Sequence, residues 1–223
     1  GGTRRGRQGQ PPIPVYTGIY KLCQQARATL GTVGLRESVQ LPPGVDRGQW
    51  VASQLLGVYE ELQHVVAAVD NICECPEMDI GTTKAGVKAV CKWMDGSGSA
   101  GQECTARDYM SKLLAYVHEQ LSNRDVFPID EGALFPEESE RVAQQLSRRM
   151  FRVYAHAYLS HFARVQEENL EAELNFCYKH FLYFVKEFDL VGDRELLPLH
   201  ELNKRWLALP AAVPEAVPAE LRG

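Results

Sequence analysis

The chain has too few cysteines, too little net charge and too short apolar runs to fit several common classes of protein. Its 223 residues hold six cysteines. Their uneven spacing, with Cys73 and Cys75 one residue apart, is not the paired framework of a secreted disulfide scaffold and suits reduced thiols or metal ligands better. A net charge of −5 gives no general attraction for nucleic acid or for an anionic membrane surface. No apolar run approaches the ~20 residues of a membrane-spanning helix, and no apolar h-region follows the basic start. Also missing are a Gly-x-Ser-x-Gly elbow, a P-loop, a His-Glu-x-x-His pair and an isolated carboxylate pair in a glycine-rich setting. These absences give no support for an enzyme and leave a soluble, intracellular protein as the expectation.

What is present is enough apolar material, 45% of residues, to bury one large core. Gly1 to Pro14 is Gly-, Arg-, Gln- and Pro-rich and reads as a flexible tail. A first helix is expected from Thr17 to Leu30, stopping at Gly31. The doubled proline in Gln40 to Gly44 forbids helix there. Asp46 is placed to cap a long amphipathic helix carrying Trp50, Leu55, Val58, Leu62 and Val69. Val87 to Trp93 and Glu103 to Thr105 flank a Gly/Ser-rich loop, Asp95 to Gly101, and read as a hairpin. Thr105-x-x-Asp108 opens a helix from Ala106 to Asn123. Two Phe-Pro pairs, Phe127-Pro128 and Phe135-Pro136, bracket the next loop. Helices follow from Glu137 to about Arg164, from Glu168 to Asp189 and from Arg194 to Leu207, and the tail from Pro210 is Pro/Ala-rich. The expected fold is mainly all-α, a helical bundle with one small hairpin and no internal repeats.

Arg148 to Phe162 is the most informative stretch. At about 100° per residue, Arg148, Arg149 and Arg152 share an arc of ~100° on one helix, so three guanidinium groups can converge on an anion. Met150, Phe151, Tyr154, Tyr158 and Phe162 face the other way and read as core. The alternative is a solvated helix face, but Glu137, Glu138 and Glu140 lie two turns away and cannot neutralise all three arginines locally. His156 and His161 on the same segment, with Cys73 and Cys75, make four ligands of Cys2His2 type. Five helical positions rotate His161 by ~140° from His156, so sharing one ion requires a π-bulge or a helix end between them. Otherwise these thiols and imidazoles simply pack. Cys177-x-x-His180 is a second i, i+3 pair, set in a helix so apolar that a core role fits better. Gly96-x-Gly-x-x-Gly101 matches the dinucleotide fingerprint in letters only, because no strand leads directly into a helix there.

Arg148 to Phe162 closely resembles the signature of the Mob/phocein family, the small kinase-regulating adaptors. Ala28 to Gly31, Leu35 to Pro42, Trp50 to Ala52, Cys75 to Met78, Cys104 to Tyr109, Leu174-Asn175, Lys179 to Phe181 and Glu195 to Leu199 follow in the family's order. The resemblance covers about Tyr16 to Leu207 and implies a single Mob-like domain at 16–207, a modified four-helix bundle, between tails at 1–15 and 208–223. It implies a structural zinc held by Cys73, Cys75, His156 and His161, although the two cysteines stand closer together than in the family pattern. It implies a phosphopeptide pocket at Arg148, Arg149 and Arg152, taking a phosphothreonine of a Ste20-type kinase or scaffold. It implies a docking surface for the N-terminal regulatory segment of an NDR/LATS-type kinase around Asp46, Gln49, Trp50 and Gly57. There Val45, Gln49 and Gly57 stand where carboxylates are common in the family, and Glu173 replaces a usual histidine. Thr29 matches a threonine phosphorylated in relatives. The implied function is a non-catalytic adaptor or co-activator in cell-division or growth signalling, with a phocein-like scaffold that activates no kinase as the alternative. The expected setting is a monomer in the cytoplasm, the nucleus or at spindle-pole or basal-body structures, without nucleic-acid or membrane partners.

Overall fold

A computed structural model describes residues 34–82, 88–94, 101–130 and 133–209. The tail to Pro14, the helix expected at Thr17 to Leu30, Thr29, most of the Asp95 to Gly101 loop and the tail from Pro210 lie outside the described residues. Seven α-helices and one small antiparallel sheet are described, the mainly all-α architecture that the periodicity predicts.

A short helix α1, Leu35–Ser38, precedes the Pro-Pro turn. Helix α2, Arg47–Ile72, begins where the Asp46 carboxylate accepts the Gln49 N–H (2.9 Å), satisfying one of the N–H groups that a helix start leaves open. Trp50, Leu55, Val58, Leu62 and Val69 of α2 are buried. They pack against α4, Glu137–Ser160, and α6, Glu171–Glu187. Helix α3, Ala106–Ser122, completes the bundle and starts on the predicted cap, Thr105 Oγ1 accepting from Asp108 N–H. Phe135 of the second Phe-Pro pair lies against α2 at Gly48, where an added Cβ would come within 2.5 Å of the ring.

The hairpin differs from expectation. Strand β2, Lys88–Cys91, pairs not with Glu103 to Thr105 but with β1, Met78–Thr82. Among the described residues, what comes nearest the expected pairing is an isolated Trp93–Gln102 bridge, one residue short of Glu103. β1 is hard to read locally because Gly81 interrupts it at φ +96° and the register shifts between Asp79 and Thr82. That backbone region favours glycine, and β1 gains its support by packing on α4.

The predicted helix Glu137 to Arg164 is two helices. α4 ends at Ser160, His161 turns aside at φ −130°, ψ 2°, and α5, Phe162–Glu167, resumes. Asn169 then takes φ 60° and Leu170 N–H reaches back to Val165 C=O, which delays α6 to Glu171. Asp189, at φ 53°, closes α6 the same way, with Leu190 N–H on Val185 C=O. Both are left-handed helix ends built without glycine. A 3₁₀ turn, Leu197–Leu199, leads into α7, His200–Leu207. Arg36 of α1 closes the domain: its guanidinium donates to Leu207 C=O (2.7 Å) and lies 4.9 Å from the Tyr183 ring centre.

Candidate functional site

The break after α4 brings the four Cys2His2 candidates together. Cys73 is the C-cap of α2 and leaves the helix with extended dihedrals, φ −91°, ψ 121°. In extended chain, residues two apart face the same way, so the tight Cys-x-Cys spacing points both thiols at one place. Cys75 is anchored through its carbonyl, which accepts from Ala106 N–H at the start of α3. His156 sits on the last full turns of α4, fully buried. His161 leaves the helical path at the α4–α5 junction, so the helix end that the ~140° offset requires is present. The ring centres of the two histidines lie 4.8 Å apart at 75°.

All four donor atoms lie within 4.8 Å of one another. Cys73 Sγ is 3.5 Å from His156 Nε2, Cys75 Sγ is 3.5 Å from His161 Nε2, and the two Nε2 atoms are 3.1 Å apart. Metal–sulfur and metal–nitrogen bonds of about 2.3 and 2.0–2.1 Å, set tetrahedrally, give edges of about 3.6 Å for S···N and about 3.3 Å for N···N. These three edges match a tetrahedral site, and with the whole set inside 4.8 Å small side-chain shifts would let all four donors hold one cation. His156 Nδ1 lies 2.6 Å from Asp79 C=O. A carbonyl only accepts, so Nδ1 carries the proton and Nε2 offers its lone pair inward, the tautomer a metal needs. Burial holds both imidazoles towards the neutral, ligating form. Burial, then Cys73, pushes the Cys75 thiol up to about 11, so a bound cation would displace protons from the thiols. A cation held by all four would have no open position left for substrate, the arrangement of a structural rather than a three-ligand catalytic site.

The three arginines occupy the middle of α4, but each guanidinium has its own partners. Arg149 is only 7% exposed. It lies 4.9 Å from the Trp93 ring centre and 4.6 Å from that of Tyr116, and donates through Nη2 to Met94 C=O (2.8 Å). Its other amino group, Nη1, is buried and has no hydrogen-bond partner among the described residues. Arg152 donates to the Tyr109 hydroxyl (2.8 Å). Arg148 is exposed, near Gln144 Oε1 (3.5 Å) and 3.8 Å from a Glu195 oxygen. The nearby acids are engaged elsewhere, Glu138 with Arg141 and Glu140 with Arg47. Glu195 and the rings of Trp93, Tyr109 and Tyr116 had no signal in local spacing, because they come from distant elements.

Around the start of α2, Asp46 is exposed and Gln49 half-buried, whereas Trp50 and Gly57 are buried. Trp50 donates its indole N–H to Val39 C=O (2.9 Å) and belongs to the core. The first turn of α2 carries no acid. Cys177 and His180 are both buried, and His180 contacts Glu61 and Gln54; the one clustered metal-ligand set among the described residues is the Cys2His2 group.

The profile of the Mob1/phocein family matches residues 27–199. The chain is 38% identical over 196 residues to "MOB kinase activator-like 1B" of Arabidopsis thaliana, covering 87% of this chain and 90% of that protein. It is 35% identical over 187 residues to "Maintenance of ploidy protein mob1" of Schizosaccharomyces pombe, covering 82% and 87%. It is 35% identical over 191 residues to human "MOB kinase activator 3A", covering 83% and 86%. Proteins of this family are activators and adaptors of kinases rather than enzymes. The chain belongs to the Mob1/phocein family.

Proposed function

We propose that this protein is a non-catalytic kinase co-activator that reads a phosphorylated peptide on the α4 arginines and engages the N-terminal regulatory segment of an NDR/LATS-type kinase. The observation that carries the phosphopeptide half is the pre-ordering of Arg149 and Arg152. The Trp93 and Tyr116 rings, the Met94 carbonyl and the Tyr109 hydroxyl hold the two cationic side chains, so less side-chain freedom is lost when an anion arrives. Arg148, exposed and held by a long ion pair with Glu195 and a weak bond to Gln144, can turn onto a phosphate, which brings close to two negative charges and several charge-assisted bonds. A phosphothreonine of a Ste20-type kinase or scaffold is the ligand class. The kinase half rests on the names of the relatives and on the exposed start of α2, where Asp46 remains while Val45, Gln49 and Gly57 stand where the family commonly has acids. Such charges chiefly set partner choice and on-rate. Phosphorylation at Thr29 and a cytoplasmic or nuclear setting complete the proposal.

Zinc is the cation that the Cys2His2 donor set suits. Cys73, Cys75, His156 and His161 would hold it, and it would cross-link the end of α2 to the end of α4. The chain's own residues prepare that link: the Asp79 carbonyl orients His156, and the α4–α5 break turns His161 inward.

A pull-down tests the whole proposal. The protein is offered a phosphothreonine peptide, its unphosphorylated twin and an NDR/LATS-type kinase segment, and kinase activity is measured in the recovered complex. Preference for the phosphopeptide together with raised kinase activity supports the co-activator. Capture of phosphopeptide without kinase gain supports the phocein-like scaffold, and equal capture of both peptides refutes phosphate reading.

A further inference from the structure

A second polar cluster lies in the bundle core, away from the arginines and the Cys2His2 group. Glu61 of α2 and His180 of α6 are each 1% exposed, Gln54 of α2 is 2% and Ser38 of α1 is 5%. His180 Nδ1 lies 2.8 and 3.0 Å from the two Glu61 oxygens, and Nε2 lies 3.3 Å from Gln54 Oε1. Gln54 Nε2 donates to Ser38 C=O (3.0 Å).

The donors in this chain are fixed by elimination. Ser38 C=O only accepts, so Gln54 must present its NH₂ there and its oxygen to His180. That oxygen also only accepts, so Nε2 must carry a proton. Nδ1 faces both oxygens of a carboxylate, the approach of an N–H donor, so it carries one too. We infer that His180 is a buried imidazolium paired with the Glu61 carboxylate, and that its proton latches the Leu35–Val39 strap onto the bundle through Gln54.

The pair is neutral as a whole, which makes it tolerable in the core. If the proton leaves, a neutral imidazole has one N–H, which stays on the carboxylate. Nε2 then faces Gln54 Oε1 lone pair to lone pair. Turning the amide relieves that contact but sets its oxygen against Ser38 C=O. Either way one bond of the latch is lost, leaving Trp50 Nε1 on Val39 C=O to hold the strap from α2. Ionisable groups close to the pair come from two more places. Tyr154 of α4 is electrostatically coupled to Glu61, and burial keeps its phenol protonated far beyond the ordinary range. Cys177, buried one turn before His180, is coupled to Tyr154. From α1 the latch meets only Ser38, whose hydroxyl is used on Leu35 C=O. The strap is the first described segment of the chain, so the latch sets how firmly that segment is held on the bundle.

Imidazole ¹⁵N spectra of the full chain, with hydrogen exchange of the Ser38 and Gln40 amides, test this. At neutral pH both His180 ring nitrogens should be protonated; an unprotonated Nε2 overturns the proposal. In Glu61→Gln an amide can donate to Nδ1, so Nδ1 should lose its proton while Nε2 and the strap's protection stay. As pH rises, wild-type protection of the strap should fall about tenfold, the loss of one buried hydrogen bond. It should remain flat in Glu61→Gln and be low throughout in Gln54→Leu. A wild-type profile as flat as that of Glu61→Gln also overturns it.

Discussion

Replacing Arg149 should damage the fold as well as ligand binding, whereas replacing Arg148 should damage binding alone. In Arg149→Met the new side chain still covers much of the surface that Trp93 and Tyr116 present but carries no charge. Two cation–π contacts at 4.9 and 4.6 Å are lost, each about 0.5–2 kcal/mol. The bond to Met94 C=O is charge-assisted and contributes about 1.5–3 kcal/mol. Against these stands the relief of a buried Nη1 that has no partner among the described residues, which returns about 1–3 kcal/mol. The balance is a destabilisation of about 2–3 kcal/mol. In a domain of this size each kcal/mol moves Tm by roughly 2–4 °C, so a fall of roughly 5–10 °C is expected. Arg148→Met removes an exposed 3.8 Å ion pair of about 0–1 kcal/mol and should leave Tm within roughly 3 °C. Both variants should bind the phosphothreonine peptide more weakly. Thermal unfolding by circular dichroism, read beside fluorescence-polarisation titrations, separates the effects. If Arg149→Met melts with wild type, the contacts of Arg149 with the two rings and Met94 are not a brace and the reasoning fails.

Elemental analysis should find one zinc per chain, and His156→Ala should lower metal content and thermal stability together; an unchanged Tm in excess chelator would refute a bracing role. Gly81→Ala should cost about 1–3 kcal/mol from its positive φ, in addition to the clash of the new Cβ with Leu159 Cδ1 at 2.8 Å. Adding Leu159→Ala should restore only the clash part, and full restoration in urea melts would show that the backbone is unstrained. Asp46→Ala removes the α2 cap and should cost about 1 kcal/mol, with no loss of phosphopeptide affinity in the same titration.

Much of this molecule is legible in local pattern. Asp46 and Thr105 announce their helices, since capping is decided within three residues. The rotation from His156 to His161 correctly demands an interruption if the pair is to share an ion, and His161 supplies it. The start of α6 is misplaced because Asn169 adopts the left-handed conformation, which local sequence permits without requiring it. β1 escapes notice because its short run contains Gly81 and depends on α4 for cover. The arginines show a limit of another kind. Helical spacing places them on one arc, but their actual partners, Trp93, Tyr109, Tyr116 and Glu195, arrive through tertiary packing. Trp50 likewise follows from the periodicity as a core residue, and its indole is spent on Val39 rather than offered to a partner.

Arg36, on the first described helix, rests on the carbonyl that ends the last one. The described chain thus begins and finishes within a single side chain's span. Residues 34–209, joined across that gap by a short linker and opened at an exposed loop elsewhere, should refold as a circular permutant. A tag placed at either end of that 34–209 segment would then project from the same side of the bundle.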